Sequence, residues 1–249
     1  MNTKRLLPAV LLGCCLAGHL EADPPALIRV VRNAGAVEPY ASAKVETNVL
    51  GMNPVAGLAE SWLVEMHDSF ASIEAVDQAL ASVARRKNPS GFLPDSDDVL
   101  PPARTLVGLY RPSLSYRPTD AEKMLGKAHY FLVSLYRTKP GAEEQFVNLI
   151  RLRSVRFDSI NLDRADICYE LVSGGLAGTY MILTPLTTLK SLDDSYAKSP
   201  AYAEGVREAA KKASSETDVS MERLLLRVDP RMSWVSDEFA AADPEFWKK

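Results

Sequence analysis

The chain has 249 residues, of which 47% are hydrophobic and 24% are charged, which is typical of a globular protein that builds its own core. Its length allows one large domain or two of about 100 to 120 residues. Its formal net charge is −3 and it has no long run of Lys or Arg, so nucleic acids and anionic membranes are disfavoured as partners.

Residues 1–22 have the pattern of a signal peptide. Lys4 and Arg5 precede a short apolar run, and small residues suited to a cleavage site follow. The apolar run is shorter than the ~20 residues that span a bilayer as a helix. We therefore expect a periplasmic or secreted protein without a transmembrane segment, cleaved within residues 17–22. A lipoprotein anchored through Cys14 is the alternative.

Cys168 is the one cysteine that follows this leader, so the mature chain is expected to lack an internal disulfide. It lies in a strand-like run, and no histidine follows it in the sequence. A free cysteine in such a run is usually a small buried residue. We interpret Cys168 as part of the core and not as a nucleophile.

The first half, residues 23–118, alternates between strand and helix patterns. Strands are predicted at 26–32, 57–67 and 106–110, with room for another at 56–63. Helices are predicted at 37–52 and after Asp68 or Ser69, where apolar residues recur at helical spacing from Ile73 to Val83. Within the strand that ends at His67, alternation places Trp62, Val64 and Met66 on one face.

A long loop, residues 85–102, precedes the last strand of this half and contains four prolines. Loops of this length are often functional lids or disordered segments. Phe92 and Leu93 in its middle could fold onto a pocket, or the loop could be a simple surface excursion.

The second half repeats the pattern after a polar connector at 119–128. The unit itself is expected at 129–234, with strands at 130–137, 166–172, 178–183 and 221–228. One helix is predicted at 142–157, and a second begins at Ser199-Pro200. The tail, 235–249, contains three large aromatic residues and is interpreted as a strap that docks on the second half.

Two landmarks indicate that the two halves are a duplication. The pattern Pro-x-apolar-Ser-aromatic occurs at 112–116 and again at 230–234, an offset of 230 − 112 = 118. Two aromatic-led strands begin at Trp62 and Tyr180 with the same offset, 180 − 62 = 118. We expect the two pairs to superpose.

The order βαββαβ in each half is that of a ferredoxin-like unit. The strand that ends at Pro140-Gly141, the long helix, the hairpin and the helix opened by Ser199-Pro200-Ala201-Tyr202 together resemble the dimeric α/β-barrel superfamily. The likeness covers residues 26–116 and 129–234 and is nearest to NIPSNAP-like and antibiotic-biosynthesis-monooxygenase-like proteins.

The resemblance implies an α+β fold in which two tandem ferredoxin-like units with antiparallel sheets form a pseudo-dimeric α/β barrel. Both units are on one chain, so a monomer with an internal pseudo-dimer is expected. Chlorite-dismutase-like and dye-peroxidase-like relatives are also tandem chains, and their family holds haem through a histidine in the second unit. This sequence has no histidine after His129, so haem is not expected and no cofactor is predicted.

The sequence contains no metal cluster, catalytic triad motif or phosphate loop, so a binding or scaffolding protein is the first functional hypothesis. A small apolar or aromatic ligand would lie inside the barrel. The aromatic residues expected to line it and the two arginines expected at its rim are Trp62, Tyr110, Tyr136, Tyr180, Arg111 and Arg137.

The alternative hypothesis, implied by the resemblance, is a cofactor-free monooxygenase that acts on a small aromatic or apolar substrate. His67 would be its base and Asp68 the residue that orients the histidine. Neighbouring residues on a strand point to opposite faces, however, which weighs against this pair.

Overall fold

The computed structural model describes residues 23–33, 38–57, 59–87, 104–198 and 204–248. The strands are β1 (Leu27–Arg32), β2 (Val49–Ala56), β3 (Trp62–His67), β4 (Arg104–Tyr110), β5 (Tyr130–Thr138), β6 (Ile167–Ser173), β7 (Thr179–Leu186) and β8 (Asp218–Val228). The helices are α1 (Glu38–Ala43), α2 (Phe70–Lys87), α3 (Pro118–Leu125), α4 (Glu143–Ser159), α5 (Lys190–Lys198), α6 (Glu204–Thr217), α7 (Asp237–Ala240) and α8 (Pro244–Trp247). The expected leader, the centre of the long loop with Phe92 and Leu93, and the helix start at Ser199-Pro200 lie outside the described residues.

The eight strands close into one antiparallel barrel with the order β1-β3-β2-β8-β5-β7-β6-β4. The first half contributes β4-β1-β3-β2 and the second contributes β8-β5-β7-β6, which is the same order in each half. The halves join where β2 pairs with β8 and where β4 pairs with β6. The predicted fold class, two ferredoxin-like units in a pseudo-dimeric barrel, is confirmed.

The barrel interior is a packed core. Alternate residues of the strands point inward, and the largest of these side chains include Trp62, Phe131, Tyr169 and Met181, all less than 2% exposed. A cavity that remains between Ile28, Phe131 and Tyr169 has a volume of about 10 Å³, which is room for one water molecule at most. The expected ligand space between the two sheets is therefore filled by side chains.

Helices cover the outer faces of the barrel. On the first half, α1 and α2 lie over an outer cluster that includes Leu63 and Val76, and on the second half α4 and α6 pack together over Tyr136 and Ile182. Layers of this kind bury the second face of each sheet, which would otherwise expose apolar side chains to water.

The two sequence landmarks differ in how well they superpose. Pro112 and Pro230 each begin a 3₁₀ turn after the last strand of their half, as expected. When the two prolines are matched, the backbone pairing from each last strand to its neighbours makes Trp62 in the first half equivalent to Met181 in the second. The expected match of Trp62 with Tyr180 is therefore wrong by one residue. A shift of one residue moves a side chain to the other face of a sheet. Trp62 accordingly points into the barrel and Tyr180 points out of it.

The serines of the repeated motif tie the two halves together reciprocally. Ser115, at the end of the first half, accepts a hydrogen bond from the N–H of Cys168 in the second half at 2.9 Å. Ser233, at the end of the second half, accepts one from the N–H of Gly51 in the first half at 3.0 Å. Each hydroxyl also donates to the carbonyl oxygen four residues earlier, at 3.0 and 2.8 Å.

One predicted helix and two predicted strand starts need correction. The helix expected at 37–52 ends at Ala43, because Val49 already begins β2. Leu50 and Met52 of that strand are buried in the barrel, and the strand pairs with β3 and β8, so long-range pairing overrides the local pattern. The additional strand expected at 56–63 is wrong in position, because the extra strand of this half is β2 at 49–56, and β3 begins only at Trp62. Helix α5 was not predicted.

The tail docks on the end of the barrel and on the connector. Trp247 is 7% exposed, and its indole N–H donates to the carbonyl oxygen of Gly126 at 2.7 Å. His129, at the start of β5, stacks on Phe246 with ring centres 3.9 Å apart and contacts Asp243 at 2.9 Å. Aromatic burial of this kind favours a fixed tail.

Candidate functional site

The structure does not gather the four predicted aromatic residues into one site. Trp62 is fully buried inside the barrel, and Tyr110 lies half-buried at its edge. Tyr136 and Tyr180 are on the outer face of the second half, where both rings pack against Phe146 of α4, with ring centres 5.6 and 4.2 Å from it. Tyr136 and Tyr180 are therefore core residues beneath a helix.

The two predicted arginines are also apart. Arg111 forms an ion pair with Glu170 at 3.2 Å on the surface. Arg137 lines a separate cavity of about 250 Å³ at one end of the barrel, together with Arg32 and Arg104. Tyr136 also lines this cavity, but the six residues do not all meet in one pocket. Whether they bind a ligand stays a prediction.

The structure does not pair His67 with Asp68, the two residues of the alternative hypothesis. His67 contacts Glu65 through Nε2 at 2.8 Å and Ser72 through Nδ1 at 3.0 Å. Asp68 is exposed, lies just after the end of β3, and is not among the hydrogen-bond partners of His67 in the described residues. The residue that orients the histidine is Glu65, two positions earlier on the same face.

A basic cleft on the outer face of the second half has the features of a binding site. It has a volume of about 410 Å³ and lies between the barrel wall and the helices α4, α5 and α6. Residues of β5 and β8 form its floor. The lining residues are Leu132, Tyr136, Leu149, Ile150, Arg153, Arg156, Phe157, Arg164, Leu192, Ser195, Tyr196, Arg207, Lys211, Ser214, Met221 and Arg223.

The spacing of residues along α4 explains one wall of this cleft. Leu149, Ile150, Arg153 and Phe157 recur at helical spacing, so they lie on one face of the helix. The apolar members pack toward the sheet, while the arginine reaches across Phe157, whose ring lies 5.2 Å from its guanidinium carbon. The wall thus carries both an apolar surface and positive charge.

The charged side chains described in the lining of the cleft are all positive. Five arginines and one lysine line it, and none of the described residues in its lining is Asp or Glu. Arg207 and Lys211 come from α6, four residues apart on one helix face, and Arg223 comes from β8. Positive side chains that converge in a concave site raise the local concentration of anions.

A buried carboxylate behind the cleft compensates part of this charge. Asp166 is 2% exposed and contacts Arg153 at 2.9 Å and Arg164 at 3.0 Å, and the hydroxyl of Thr184 also donates to it. Burial alone would raise the pKa of Asp166, but the two guanidinium groups outweigh it and hold that pKa below its usual value. One carboxylate therefore holds two of the six cations in place.

Other cations of the cleft are available to a ligand. Arg223 and Lys211 are exposed, and neither forms a hydrogen bond or ion pair with any residue in the described ranges. Tyr196 and Met221 beside them are 73% and 47% exposed. The cleft therefore offers uncommitted positive charge next to apolar surface.

The described residues do not bring together the side chains that would ligate a metal ion. Among the described residues no group of three His, Cys, Asp or Glu side chains could hold a metal ion. None of the described residues that line the cleft is a histidine, and no histidine follows His129 in the chain. No helix in the described ranges is long and apolar enough to cross a membrane.

Comparison with solved structures bears on the fold. No protein-family model matches the chain, and no curated protein does. The structure of an anthrone oxidase-like protein superposes with a TM-score of 0.52 at 10% identity, covering 84% of this chain and 93% of that one. The fold is that of the dimeric α/β barrels.

Two further structures are similar to this barrel. A proposed monooxygenase of Fusobacterium nucleatum subsp. nucleatum has a TM-score of 0.48 at 11% identity, covering 83% of this chain and 93% of its own. A mutant chlorite dismutase of Candidatus Nitrospira defluvii has a TM-score of 0.48 at 9% identity, with coverages of 90% and 96%. At such identities these similarities say nothing of the activity of this chain.

The sequence alone gave little sign of the basic cleft. Tyr136 was the one predicted ligand residue that lines it. The available signal was a set of arginines on the helix at 142–157 and further cations on the next long helix. Only the barrel topology brings these helices over β8.

Proposed function

We propose that the basic cleft binds a small anionic molecule with an apolar or aromatic body. The observation that carries this proposal is the convergence of six cationic side chains, with no carboxylate among the described residues that line the cleft. A volume of about 410 Å³ is within the range of small-molecule sites. The protein would then act as a binding protein, as the first functional hypothesis holds, with the ligand outside the barrel and not inside it.

The physical basis of the proposal is charge balance. Like charges that share a partly buried cleft repel one another, and a bound anion removes this repulsion while gaining hydrogen bonds to guanidinium groups. Arginine binds carboxylates and phosphates through two parallel N–H donors. Leu132, Phe157 and Met221 would contact the apolar part of the ligand.

Two fluorescent probes that share an aromatic body test this proposal. 8-Anilinonaphthalene-1-sulfonate is an anion, and N-phenyl-1-naphthylamine is its uncharged counterpart. The anion is expected to bind at least about tenfold more tightly, which corresponds to ~1.4 kcal/mol. Added salt should weaken the binding of the anion, because exposed charges are screened. Equal affinities for the two probes would contradict the proposal.

Matched variants locate the binding. Arg223→Ala and Lys211→Ala are each expected to weaken binding of the anionic probe by about tenfold, the loss of one charged hydrogen bond. Their controls are Arg227→Ala on the same strand and Lys212→Ala on the same helix, since neither side chain lines the cleft. Similar losses in variants and controls would place the probe elsewhere.

A cofactor-free oxygenase that acts on an aromatic acid in the same cleft is the second candidate. It is supported by the likeness to the anthrone oxidase-like protein and by two tyrosines, Tyr136 and Tyr196, among the residues that line the cleft. Oxygen uptake with an aromatic acid that binds the cleft, lost on Arg223→Ala, would favour this candidate over simple binding.

Export through the predicted leader is part of the proposal. A periplasmic or extracellular location would expose the cleft to small molecules from outside the cell. This step is supported by the basic, then apolar, then small-residue pattern of residues 1–22.

A further inference from the structure

A second cleft, between the first half of the barrel, the connector and the C-terminal tail, has a different character from the basic cleft. It has a volume of about 740 Å³ and lies at the end of the barrel where β3 ends, beneath α3 and α7. Met66, His67 and Ser72 form one side, and Glu122 and Phe239 form another. We name it the acidic cleft, because five carboxylate side chains and two lysines line it.

Three side chains form a hydrogen-bonded relay that ends on the wall of this cleft. Glu65 contacts His67 Nε2 at 2.8 Å, and His67 Nδ1 contacts the hydroxyl of Ser72 at 3.0 Å. Glu65 and His67 are 0% and 1% exposed. Ser72 lines the cleft and is the third residue of the 18-residue helix α2, so it lies at the positive end of the helix dipole.

The partners of Glu65 show which ring nitrogen of His67 donates a hydrogen bond to it. Burial alone would raise the pKa of Glu65, but hydrogen bonds from His67 and Arg29 outweigh it and hold that pKa below its usual value. The hydroxyl of Tyr40 also donates to this carboxylate at 2.7 Å. A carboxylate can only accept, so Nε2 donates its proton to Glu65, and Nδ1 is the ring nitrogen that faces the hydroxyl of Ser72.

The serine hydroxyl has two acceptors within reach. Its Oγ lies 2.8 Å from the carbonyl oxygen of Ser69 and 3.0 Å from His67 Nδ1. Rotation about the Cβ–Oγ bond turns the single proton from one acceptor to the other. His67 thus connects the buried carboxylate of Glu65 to a serine hydroxyl that lines the cleft.

We propose that Ser72 is a nucleophile for ester hydrolysis, with His67 as its general base and Glu65 as the residue that positions the histidine. Oγ forms a bond to the acyl carbon of the ester while its proton passes to His67 Nδ1. The bond from the acyl carbon to the alcohol oxygen breaks, and the alcohol takes that proton. Water then attacks the acyl-serine in the same way, which releases the carboxylic acid and restores the hydroxyl of Ser72.

The charge of the acidic cleft indicates the class of ester. Five carboxylates against two lysines repel anionic substrates and favour esters that are neutral or carry a cationic alcohol group. Glu122 is half-buried, and burial raises the pKa of its carboxyl. Met66 and Phe239 supply the apolar surface for a short acyl chain.

Active-site labelling of the full chain tests this proposal without a variant. A neutral fluorophosphonate reacts with an activated serine, so that phosphorus bonds to Oγ and fluoride leaves. Peptide mapping by mass spectrometry is expected to find one modification, on Ser72. The absence of labelling, or labelling at another serine, would overturn the proposal.

Variants then separate catalysis from structure. Ser72→Ala is expected to abolish labelling and to lower hydrolysis of p-nitrophenyl butyrate about 100-fold or more, while its matched control Ser82→Ala on the exposed part of the same helix changes neither. Glu65→Gln is expected to lower kcat about tenfold or more with KM nearly unchanged. Full activity in Ser72→Ala, with an unchanged melting temperature, would refute the assignment.

Discussion

The reciprocal serine contacts between the two halves give a prediction whose size follows from the structure. In Ser233→Ala the N–H of Gly51 loses its acceptor, and in Ser115→Ala the N–H of Cys168 loses its acceptor. A buried donor left without a partner costs about 1–3 kcal/mol. Ser233 is 1% exposed and Ser115 is only half-buried. We expect a loss of ~2–3 kcal/mol for the first variant and ~1–2 kcal/mol for the second.

Urea unfolding followed by circular dichroism measures these losses. Each lost kcal/mol should lower the melting temperature by about 2–4 °C for a protein of this size, with the denaturant slope unchanged. The double variant should show the sum of the two losses within ~0.5 kcal/mol, because the serines act at separate junctions of the barrel. Ser113→Ala, exposed in the same 3₁₀ turn, is the matched control and should change little.

Two outcomes would refute this reasoning. If Ser115→Ala and Ser233→Ala were as stable as the Ser113→Ala control, the cross-contacts would not stabilise the barrel. If only one of them lost stability, the two halves would not be held together symmetrically.

The remaining predictions concern the core, the buried charges and the leader. Burial raises the pKa of Cys168 to about 12, so a thiol reagent at about pH 8 should modify it only after unfolding, and modification of the native protein would contradict its burial. Because the folded pKa of Asp166 is lowered, its stabilisation is present above about pH 4 and is lost as the pH falls through the folded pKa. Asp166→Asn should therefore cost about 3–5 kcal/mol at neutral pH and flatten the acid side of the stability profile, and an unchanged profile would argue against the ion network. Trp62→Ala should lose about 3–5 kcal/mol, whereas a loss below ~1 kcal/mol would mean that the barrel interior is not packed around it. The exported protein should have lost its residues up to a point between Ala17 and Ala22 and so begin within residues 18–23, and an intact Met1 would contradict cleavage of the leader.

The local patterns in the sequence predicted the fold because they report directly on strand and helix faces. The alternation around Val64 correctly placed one face inside the barrel, and the motif at 112–116 and 230–234 marked the end of each unit. The strand at Val49 was missed because its stability comes from pairing with β3 and β8, far along the chain. The match of Trp62 with Tyr180 failed because an offset measured between turns does not fix the register of a strand.

The candidate sites depend on contacts that no short motif contains. The cations of the basic cleft come from α4, the segment before β6, α6 and β8, and only the closed topology brings Arg164 next to Arg223. Glu65 and His67 lie two residues apart on one strand face, so their contact could have been predicted. Sequence reasoning paired the histidine with Asp68 and did not consider Ser72, which the start of α2 brings within 3.0 Å of the ring.

Diffraction from crystals soaked in 4-bromobenzoate tests the central claim, anion binding in the basic cleft, most directly. The anomalous signal of bromine marks the position of the ring, and the electron density shows which side chains contact the carboxylate. We expect bromine over the apolar floor near Met221 and carboxylate oxygens within hydrogen-bond distance of Arg223 or Arg164. Bromine only at other sites, or a carboxylate that contacts none of the six cations, would contradict the account.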